Sequence, residues 1–320
     1  MLIDNHYFVS RIWYQRSQLY SQIHIHIQNM LNTLRKLKST LFRRYYQWRI
    51  NSTSNLSSIS FRKEPYKFVF LMSHMRSGSS LLTHILCSNP EIIGYGETQI
   101  KYSSEADIQA LIHKAYNHNA QELTRLNAAQ AFKMQHTYVL DKVLHQNLKD
   151  LSILKKLQTK SIVLIREPER TLKSILDIRD HWTEETALDY YRIQLDHLID
   201  CTNFLSAPNR FLLLTYHQVI SDTPIVLQAL QSFFETKHPF SEQYQVKKTT
   251  GQAGIGDAVG HIKAGTVVRE RRQLDVTISP VIIQKAQDIF EQAQQQLSHT
   301  CLTLEHFIRN PATESRFSDE

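Results

Sequence analysis

The sequence predicts an α/β protein whose parallel sheet is flanked by helices on both faces. Four short apolar runs, at 68–72, 137–140, 161–165 and 211–215, are separated by helical patterns. Short strands that alternate with helices are typical of a covered parallel sheet. Ligands of such sheets bind beyond the carboxyl ends of the strands, so the residues that follow each strand are the candidate site residues.

Helical periodicity accounts for most of the chain between and after these strands. The predicted helices are at 79–88, 106–118, 121–132, 144–157, 169–179, 184–205, 224–234 and 280–297. We place a domain at 65–300 and a C-terminal tail at 301–320. Residues 1–64 form a basic arm that ends in a serine-rich linker.

The N-terminal arm carries the basic charge of the chain. Residues 1–64 hold ten Lys and Arg against two acidic residues, whereas the rest of the chain holds 27 against 28. A near-neutral domain argues against nonspecific binding of nucleic acid. Leu31, Leu34, Leu37 and Leu41 have helical spacing with basic residues between them. This pattern predicts an amphipathic helix that either contacts an anionic membrane surface through residues 1–50 or docks on the domain.

The cysteines and the apolar runs bear on where in the cell the protein resides. Cys87, Cys201 and Cys301 are far apart and form no CxxC pair, which is typical of reduced thiols and predicts no metal site. No apolar run reaches the ~18 residues that a membrane span needs. We therefore predict a cytoplasmic protein, or one held peripherally at a membrane. We recognise no coiled-coil heptads, so the oligomeric state is left open.

A polar turn follows the first predicted strand, in "FVFLMSHMRSGSS". The turn holds Arg76, Ser77, Gly78, Ser79 and Ser80, and a helix begins at its end. Backbone N–H groups at a helix start, serine hydroxyls and a guanidinium together suit a tetrahedral anion, and glycine allows a close backbone approach. The alternative is an ordinary serine-capped helix.

A second arginine follows the strand at 161–165, in "SIVLIREPERTLKSIL". Arg166 ends the strand, and Ser174 lies about two turns into the next helix. A second cationic strand end suits a second phosphate, and the alternative is an ion pair with Glu167 or Glu169. The GxxxxGK[ST] motif is absent, and Arg166 stands where a kinase would hold magnesium with an aspartate, which argues against a P-loop kinase that uses ATP and Mg²⁺.

The two motifs together resemble the sulfotransferases that use 3′-phosphoadenosine 5′-phosphosulfate. "RSGSSLL" is similar to the 5′-phosphosulfate loop of that family, and "IREPERTLKSIL" to its 3′-phosphate segment. "LLLTYHQVISDTPIVLQALQSFF" resembles a later strand and helix and implies that Tyr216 lies near the adenine. "TTGQAGIGDAVGHIKAG" is similar to a C-terminal segment that closes over the nucleotide, with Lys263 as a further phosphate contact. The family often has an acidic pair after the tyrosine, where this chain has His217 and Gln218.

The resemblance, which covers residues 66–300, implies a fold and an activity. The fold is the P-loop-containing nucleotide-hydrolase-like fold of sulfotransferases. The activity is transfer of a sulfuryl group from 3′-phosphoadenosine 5′-phosphosulfate to a hydroxyl on a carbohydrate, glycolipid or small molecule, without a metal. A non-catalytic nucleotide-binding module at a membrane surface is the alternative from a different class.

The resemblance also implies catalytic residues. Glu97, in "GYGET", is the expected general base, because relatives carry a similar Gly-Glu pair. Arg76 and Lys142, the latter in "LDKVLH", are expected to stabilise the transferring group. His145 is the alternative base, since some members use histidine. Trp182 and Tyr190 are expected to wall the acceptor pocket.

Overall fold

The computed structural model describes residues 4–52, 57–122, 132–246, 261–270 and 273–308. Its centre is a five-stranded sheet, and every pairing between its strands is parallel. The strands are β1 (Lys67–Ser73), β2 (Ile92–Gly94), β3 (Tyr138–Val143), β4 (Thr159–Ile165) and β5 (Phe211–Thr215), in the order β2-β3-β1-β4-β5. The parallel sheet and its four predicted strands are confirmed. The sequence did not predict β2, whose three residues are too few to show a period.

Ten α-helices accompany the sheet in the described residues. They are α1 (Asp4–Asn51), α2 (Ser79–Ser88), α3 (Ala106–Glu122), α4 (Ser152–Lys156), α5 (Pro168–Leu176), α6 (Glu184–Leu205), α7 (Tyr216–Ser221), α8 (Thr223–Phe234), α9 (Pro280–Thr300) and α10 (Leu304–Ile308). Short 3₁₀ helices lie at Pro208–Arg210 and His261–Ala264.

The core has two layers, one on each face of the sheet. Side chains alternate along β1, so Phe68 and Phe70 enter one layer while Val69 and Leu71 enter the other. The first layer packs the sheet against the end of α1 and against α3, α5, α6 and α9. The second packs it against α2, α7, α8 and α10. The sheet is therefore covered on both faces, as the apolar strands predict.

The predicted helix at 144–157 is wrong over most of its length. His145 and Gln146 have φ of +55°, which a right-handed helix excludes. The chain instead turns and pairs Leu148 with Tyr102, whose carbonyl accepts from the backbone N–H groups of Lys149 and Asp150. Only α4 is helical within this range. Most of the predicted helix at 121–132 lies outside the described residues.

Most of the arm is one continuous helix, α1, whose last turns join the core. Tyr46 and Ile50 in α1 are fully buried, and so is Ile59 beyond it. Arg49 is 2% exposed and donates hydrogen bonds to the carbonyls of Ser60 and Lys133. Core packing therefore extends N-terminal to residue 65, where the sequence places the start of the domain.

The first residues of the predicted tail also pack on the domain. Leu302 exchanges backbone hydrogen bonds with Phe211 and Leu213 at the edge of the sheet. Cys301 and Leu304 are buried. Residues 309–320 lie outside the described residues. Among the helices that the structure describes, none combines the length and apolar character that a membrane crossing requires.

Candidate active site

The candidate site lies where the chain leaves β1 and β4 on opposite faces of the sheet. Helix α2 follows β1 and packs in one core layer, whereas α5 follows β4 and packs in the other. β1 and β4 are neighbours in the sheet. The divergence of the two helices opens a crevice at the carboxyl ends of these strands, which is where parallel sheets bind ligands.

The turn after β1 has an unusual backbone that Tyr216 explains in part. Arg76 and Gly78 have φ of +62° and +90°, and a non-glycine residue such as Arg76 is uncommon there. A Cβ atom on Gly78 would lie 2.3 Å from the Tyr216 ring. The glycine therefore makes room for this ring as well as for a ligand. No side chain caps α2, so the first N–H groups of this helix are available to a ligand.

The two predicted arginines meet at this crevice. Arg76 donates from Nε to the Oγ atom of Ser174 at 2.8 Å, and Arg166 donates from Nη1 to the carbonyl of Arg76 at 2.9 Å. The Arg166 guanidinium stacks 4.2 Å above the centre of the Tyr216 ring. Residues from three different strand ends therefore form one cluster.

A buried histidine fixes the backbone of Arg166. The Arg166 N–H donates to Nε2 of His74 at 3.1 Å, and the Nδ1–H of His74 therefore donates to the Met75 carbonyl at 2.8 Å. The Tyr191 hydroxyl donates to the Arg166 carbonyl at 2.7 Å. Burial lowers the pKa of His74 to about 4, so its ring is neutral at pH 7. Nothing in the sequence indicated this brace except the position of His74 directly after β1.

A solvent-open cavity lies beside the arginine cluster. Its walls include Arg76, Arg166, Ser174 and Tyr216 of the predicted residues. Arg170, His217, His261 and Arg269 also line it and were not predicted as binding residues. Lys263 is exposed and does not line this cavity, although it lies two residues from His261. Most of the predicted closing segment, residues 247–260, is outside the described residues.

The serines of the turn differ in their surroundings. Ser77 is fully buried, and its Oγ atom has no hydrogen-bond partner. A buried hydroxyl without a partner is costly, and a bound anion would satisfy it. Ser79 is 5% exposed at the first position of α2. Ser80 lies one residue further and faces Lys142.

The candidate base and the candidate lysine form an ion pair beside this turn. Lys142 lies at 2.9 Å from the Glu97 carboxylate and donates to the Ser80 hydroxyl at 3.4 Å. The two side chains are 7% and 20% exposed. The Lys142 N–H also donates to the carbonyl of Gly96 at 2.6 Å. Lys142 thus connects the Glu97 loop to the start of α2.

Asp141 holds the Glu97 loop from the other side. Its carboxylate accepts from the backbone N–H of Thr98 at 3.0 Å and from the hydroxyls of Thr98 and Tyr102, both at 2.6 Å. Burial raises the pKa of Asp141 to about 6, although these hydrogen bonds act in the opposite direction. Asp141 and Lys142 are neighbours in β3, and their side chains therefore point to opposite faces of the strand and have different partners.

His145 lies in an aromatic group at the edge of the site. Its Nδ1 atom is 3.5 Å from the Tyr190 hydroxyl, which accepts from the Met75 N–H at 3.0 Å. The Tyr190 ring packs against Trp182 at 5.6 Å, and Arg179 lies 5.8 Å from the Trp182 ring. Burial lowers the pKa of His145. The contact of Tyr190 with Met75 places this group beside the turn.

Comparison with known proteins identifies the family of this chain. A model of the "Sulfotransferase family" matches residues 69–240, more than half of the chain. The chain belongs to the sulfotransferase family. The resemblance that the motifs predict is confirmed, and with it the α/β fold. Membership supports sulfuryl transfer to a hydroxyl-bearing acceptor as the activity of the chain.

Two solved sulfotransferase structures are similar to this one. The sulfotransferase domain of the olefin synthase from Synechococcus PCC 7002 is 18% identical, with a TM-score of 0.46, over 72% of this chain and 96% of that one. Mouse sulfotransferase SULT7A1, described as complexed with PAP, is 12% identical, with a TM-score of 0.42, over 86% of this chain and 95% of that one. A search of curated proteins found no significant match to this sulfotransferase.

Proposed function

We propose that this sulfotransferase takes its sulfuryl group from 3′-phosphoadenosine 5′-phosphosulfate and passes it to a hydroxyl. The observation that carries the proposal is the contact of Lys142 with both Glu97 and Ser80. Through this contact, a single side chain, that of Lys142, connects the carboxylate of the candidate base with the turn that would bind the anion. No feature of the described residues favours the kinase alternative. A kinase would hold magnesium with an aspartate at the position of Arg166.

The donor-binding residues fit a nucleotide with two charged ends. The start of α2, with Ser77 and Ser80, would hold the 5′-phosphosulfate, because its N–H groups and the unpartnered Ser77 hydroxyl suit an anion. Arg166 and Ser174 would hold the 3′-phosphate. Tyr216 would contact the adenine with its ring, which lies between Gly78 and Arg166. Arg170 and Arg269 add cationic groups to the same cavity.

The transfer step needs a base on the acceptor side and a cation on the donor side. When bound, the donor supplies a sulfuryl group whose sulfur loses its bond to the phosphate oxygen as it gains one to the acceptor oxygen. Glu97 accepts the proton of the acceptor hydroxyl. Lys142 and Arg76 stabilise the negative charge that grows on the phosphate side, since Arg76 lies in the turn and Lys142 contacts Ser80 at the start of α2. By analogy with phosphoryl transfer, positioning and electrostatics supply most of the rate enhancement.

The acceptor would approach along the aromatic group formed by His145, Tyr190 and Trp182. Aromatic side chains suit the apolar face of a sugar or a ring, so a carbohydrate, glycolipid or small ring-bearing molecule fits this group. His145 is the alternative base, because burial keeps its ring neutral and able to accept a proton. Its contact with Tyr190 instead suits a role in binding the acceptor.

The proposal is tested with labelled donor and a pool of hydroxyl compounds. We expect the wild-type chain to release adenosine 3′,5′-bisphosphate and a labelled acceptor. Glu97→Gln is expected to lower kcat by 10²–10⁴-fold while the product nucleotide still binds. His145→Gln is expected to change kcat by less than about 10-fold and to raise KM.

Two outcomes would contradict the proposal. If Glu97→Gln keeps full turnover while His145→Gln loses it, the assignment of the base is wrong. If the chain binds the bisphosphate but no acceptor pool supports turnover, the non-catalytic alternative is favoured. Arg192→Ala is the matched control, because Arg192 pairs with Asp189 and Asp196 on the exposed face of α6.

A further inference from the structure

Helix α1 exposes a regular line of apolar side chains before it reaches the domain. Seven residues follow one another at spacings of three and four: Tyr20, Ile23, Ile27, Met30, Leu34, Leu37 and Leu41. Their side chains are between 46% and 71% exposed. They lie on a single continuous helix, so the spacing describes one line on its surface.

This spacing is the heptad repeat of a coiled coil. Alternating steps of three and four average 3.5 residues, so the line stays on one side only if two helices wind around each other. Ile27, Leu34 and Leu41 occupy one core position of the heptad, and Met30 and Leu37 occupy the other. The Leu31-based reading of the sequence combined residues from this line with one outside it, and so missed the repeat.

The domain leaves this line uncovered. The buried residues near the end of α1, Tyr46, Arg49 and Ile50, lie on the side of the helix nearly opposite to the line. The next two core positions are Arg44 and Trp48, and both side chains are exposed. One side of α1 therefore packs on the domain, and the side with the apolar line is exposed to solvent.

The residues along the line favour a helix over a lipid surface. No Lys or Arg occurs from 17 to 34, where a helix that binds anionic lipid would carry them. The flanking positions hold mostly His, Thr and other uncharged residues. Between residues 20 and 41, Lys38 is the one charged residue at a position that flanks the line. Two copies can therefore pair along the line without repulsion between like charges.

The area of the line matches what a stable dimer buries. At these exposures, the seven side chains present on the order of 800 Å² in each chain, which is about the area per partner in standard stable interfaces. The line spans 22 residues, or roughly 33 Å of helix. This is three heptads, which is long enough for a two-stranded coil.

We propose that this sulfotransferase forms a homodimer through a coiled coil of residues 20–41. The occupant of the apolar line is the same line on a second copy of the chain. Two catalytic domains are then held at the ends of one paired helical stalk. The inference does not depend on the identity of the sulfuryl donor.

Sedimentation equilibrium of the full chain tests the proposal directly. We expect a mass of twice 37.4 kDa at micromolar concentration. Ile27→Glu places a charge in the seam and is expected to weaken dimerisation by at least 100-fold. Ile25→Glu is the matched control, because Ile25 is equally apolar and 57% exposed but lies off the line. It is expected to leave the dimer intact.

The melting temperature of the domain shows whether a substitution acts by unfolding the domain instead of by weakening the dimer. Both substitutions lie on exposed positions, so the domain is expected to unfold at the same temperature in each variant. A wild-type chain that stays monomeric at every concentration overturns the proposal. So does a dimer that survives Ile27→Glu. A monomer that binds vesicles of phosphatidylserine and phosphatidylcholine would instead support the membrane interpretation of the arm.

Discussion

At the scale of single residues, the site depends on backbone positions that only a few side chains tolerate. Gly78 has a positive φ, and a Cβ atom at this position would overlap the Tyr216 ring. Arg76 adopts a positive φ without the freedom of glycine, which costs of order 1–3 kcal/mol. Such strain persists where surrounding contacts fix it, and here the contacts are those with Ser174 and Arg166.

Gly78→Ala is expected to lower stability and donor affinity together. The new methyl group must displace the Tyr216 ring, which also moves the surface on which Arg166 stacks. Gly96→Ala is the matched control, because Gly96 has a φ of +117° but no atom within 4 Å of its Cβ position. We expect Gly78→Ala to lose about 1–3 kcal/mol more unfolding free energy than the control in urea titrations. Equal losses would show that the Tyr216 contact is unimportant.

His74 is expected to make stability depend on pH. Its folded-state pKa is about 4, below the ordinary value of 6.5, because the ring is buried. As the pH falls below about 6.5 the unfolded chain takes up the proton first, so the free energy of unfolding decreases until about pH 4. His74→Gln removes this effect. The stability gap between wild type and variant should therefore be about 2 kcal/mol smaller at pH 5 than at pH 7.

Urea titrations of both proteins at the two pH values measure this gap. Other titrating groups, such as His136 and Asp141, are present in both proteins and cancel in the difference. A gap that does not change with pH would mean that His74 titrates normally in the folded chain. The brace between His74 and Arg166 would then be absent in solution.

At the scale of elements, the loop from 94 to 102 is positioned by β3. Asp141 and Lys142 are neighbours in this strand and point to opposite faces, so one holds Thr98 and Tyr102 while the other holds Glu97. A single strand thereby sets the position of the candidate base in two ways. Asp141 is a positioning residue, because its contacts are to the loop.

Asp141→Ala is expected to reduce turnover without reducing donor binding. The loop loses three hydrogen bonds, and Glu97 loses its fixed position relative to Lys142. We expect kcat to fall by at least 10-fold, which is about 1.4 kcal/mol, while the affinity for adenosine 3′,5′-bisphosphate changes by less than about 2-fold. Steady-state kinetics and calorimetry on the same preparation give both values. A loss of donor affinity as large as the loss of kcat would indicate general unfolding instead.

The sequence predicted the elements that have a strong local pattern. The helices Ser79–Ser88 and Glu184–Leu205 and the strand Phe211–Thr215 have the bounds that their apolar patterns indicate. The helix at 144–157 failed because its apolar residues pair with the Tyr102 region, a contact between distant parts of the chain. The roles of His74, Arg170 and Arg269 could not be predicted from the sequence. These roles depend on which residues from other parts of the chain the fold brings next to them.

At the scale of the whole molecule, α1 has two parts with different environments. Its 48 residues span about 72 Å, far more than the domain can cover. Side chains are exposed from Tyr20 to Leu41, with few exceptions, whereas Tyr46, Arg49 and Ile50 belong to the core. The change occurs near Phe42, and not in the serine-rich segment that the sequence suggested as a linker.

Two truncations separate these parts. Deletion of residues 1–41 is expected to leave the melting temperature of the domain within a few degrees of the full chain. Deletion of residues 1–51 also removes Tyr46 and Ile50 from the core, at a cost of at least about 3 kcal/mol. Thermal unfolding followed by circular dichroism measures both. If the shorter chain is as stable as the longer one, the packing of α1 on α3 does not contribute to the fold.

The central claim is that Arg76 and Arg166, from two neighbouring strands, form one binding site for a doubly phosphorylated adenosine. Calorimetric titration of adenosine 3′,5′-bisphosphate into the wild type, Arg166→Ala and the Arg192→Ala control tests it most directly. We predict that the bisphosphate binds the wild type and the control equally, and binds Arg166→Ala at least 10-fold more weakly. Equal binding to all three proteins, or binding of ATP with Mg²⁺ in place of the bisphosphate, would contradict the claim.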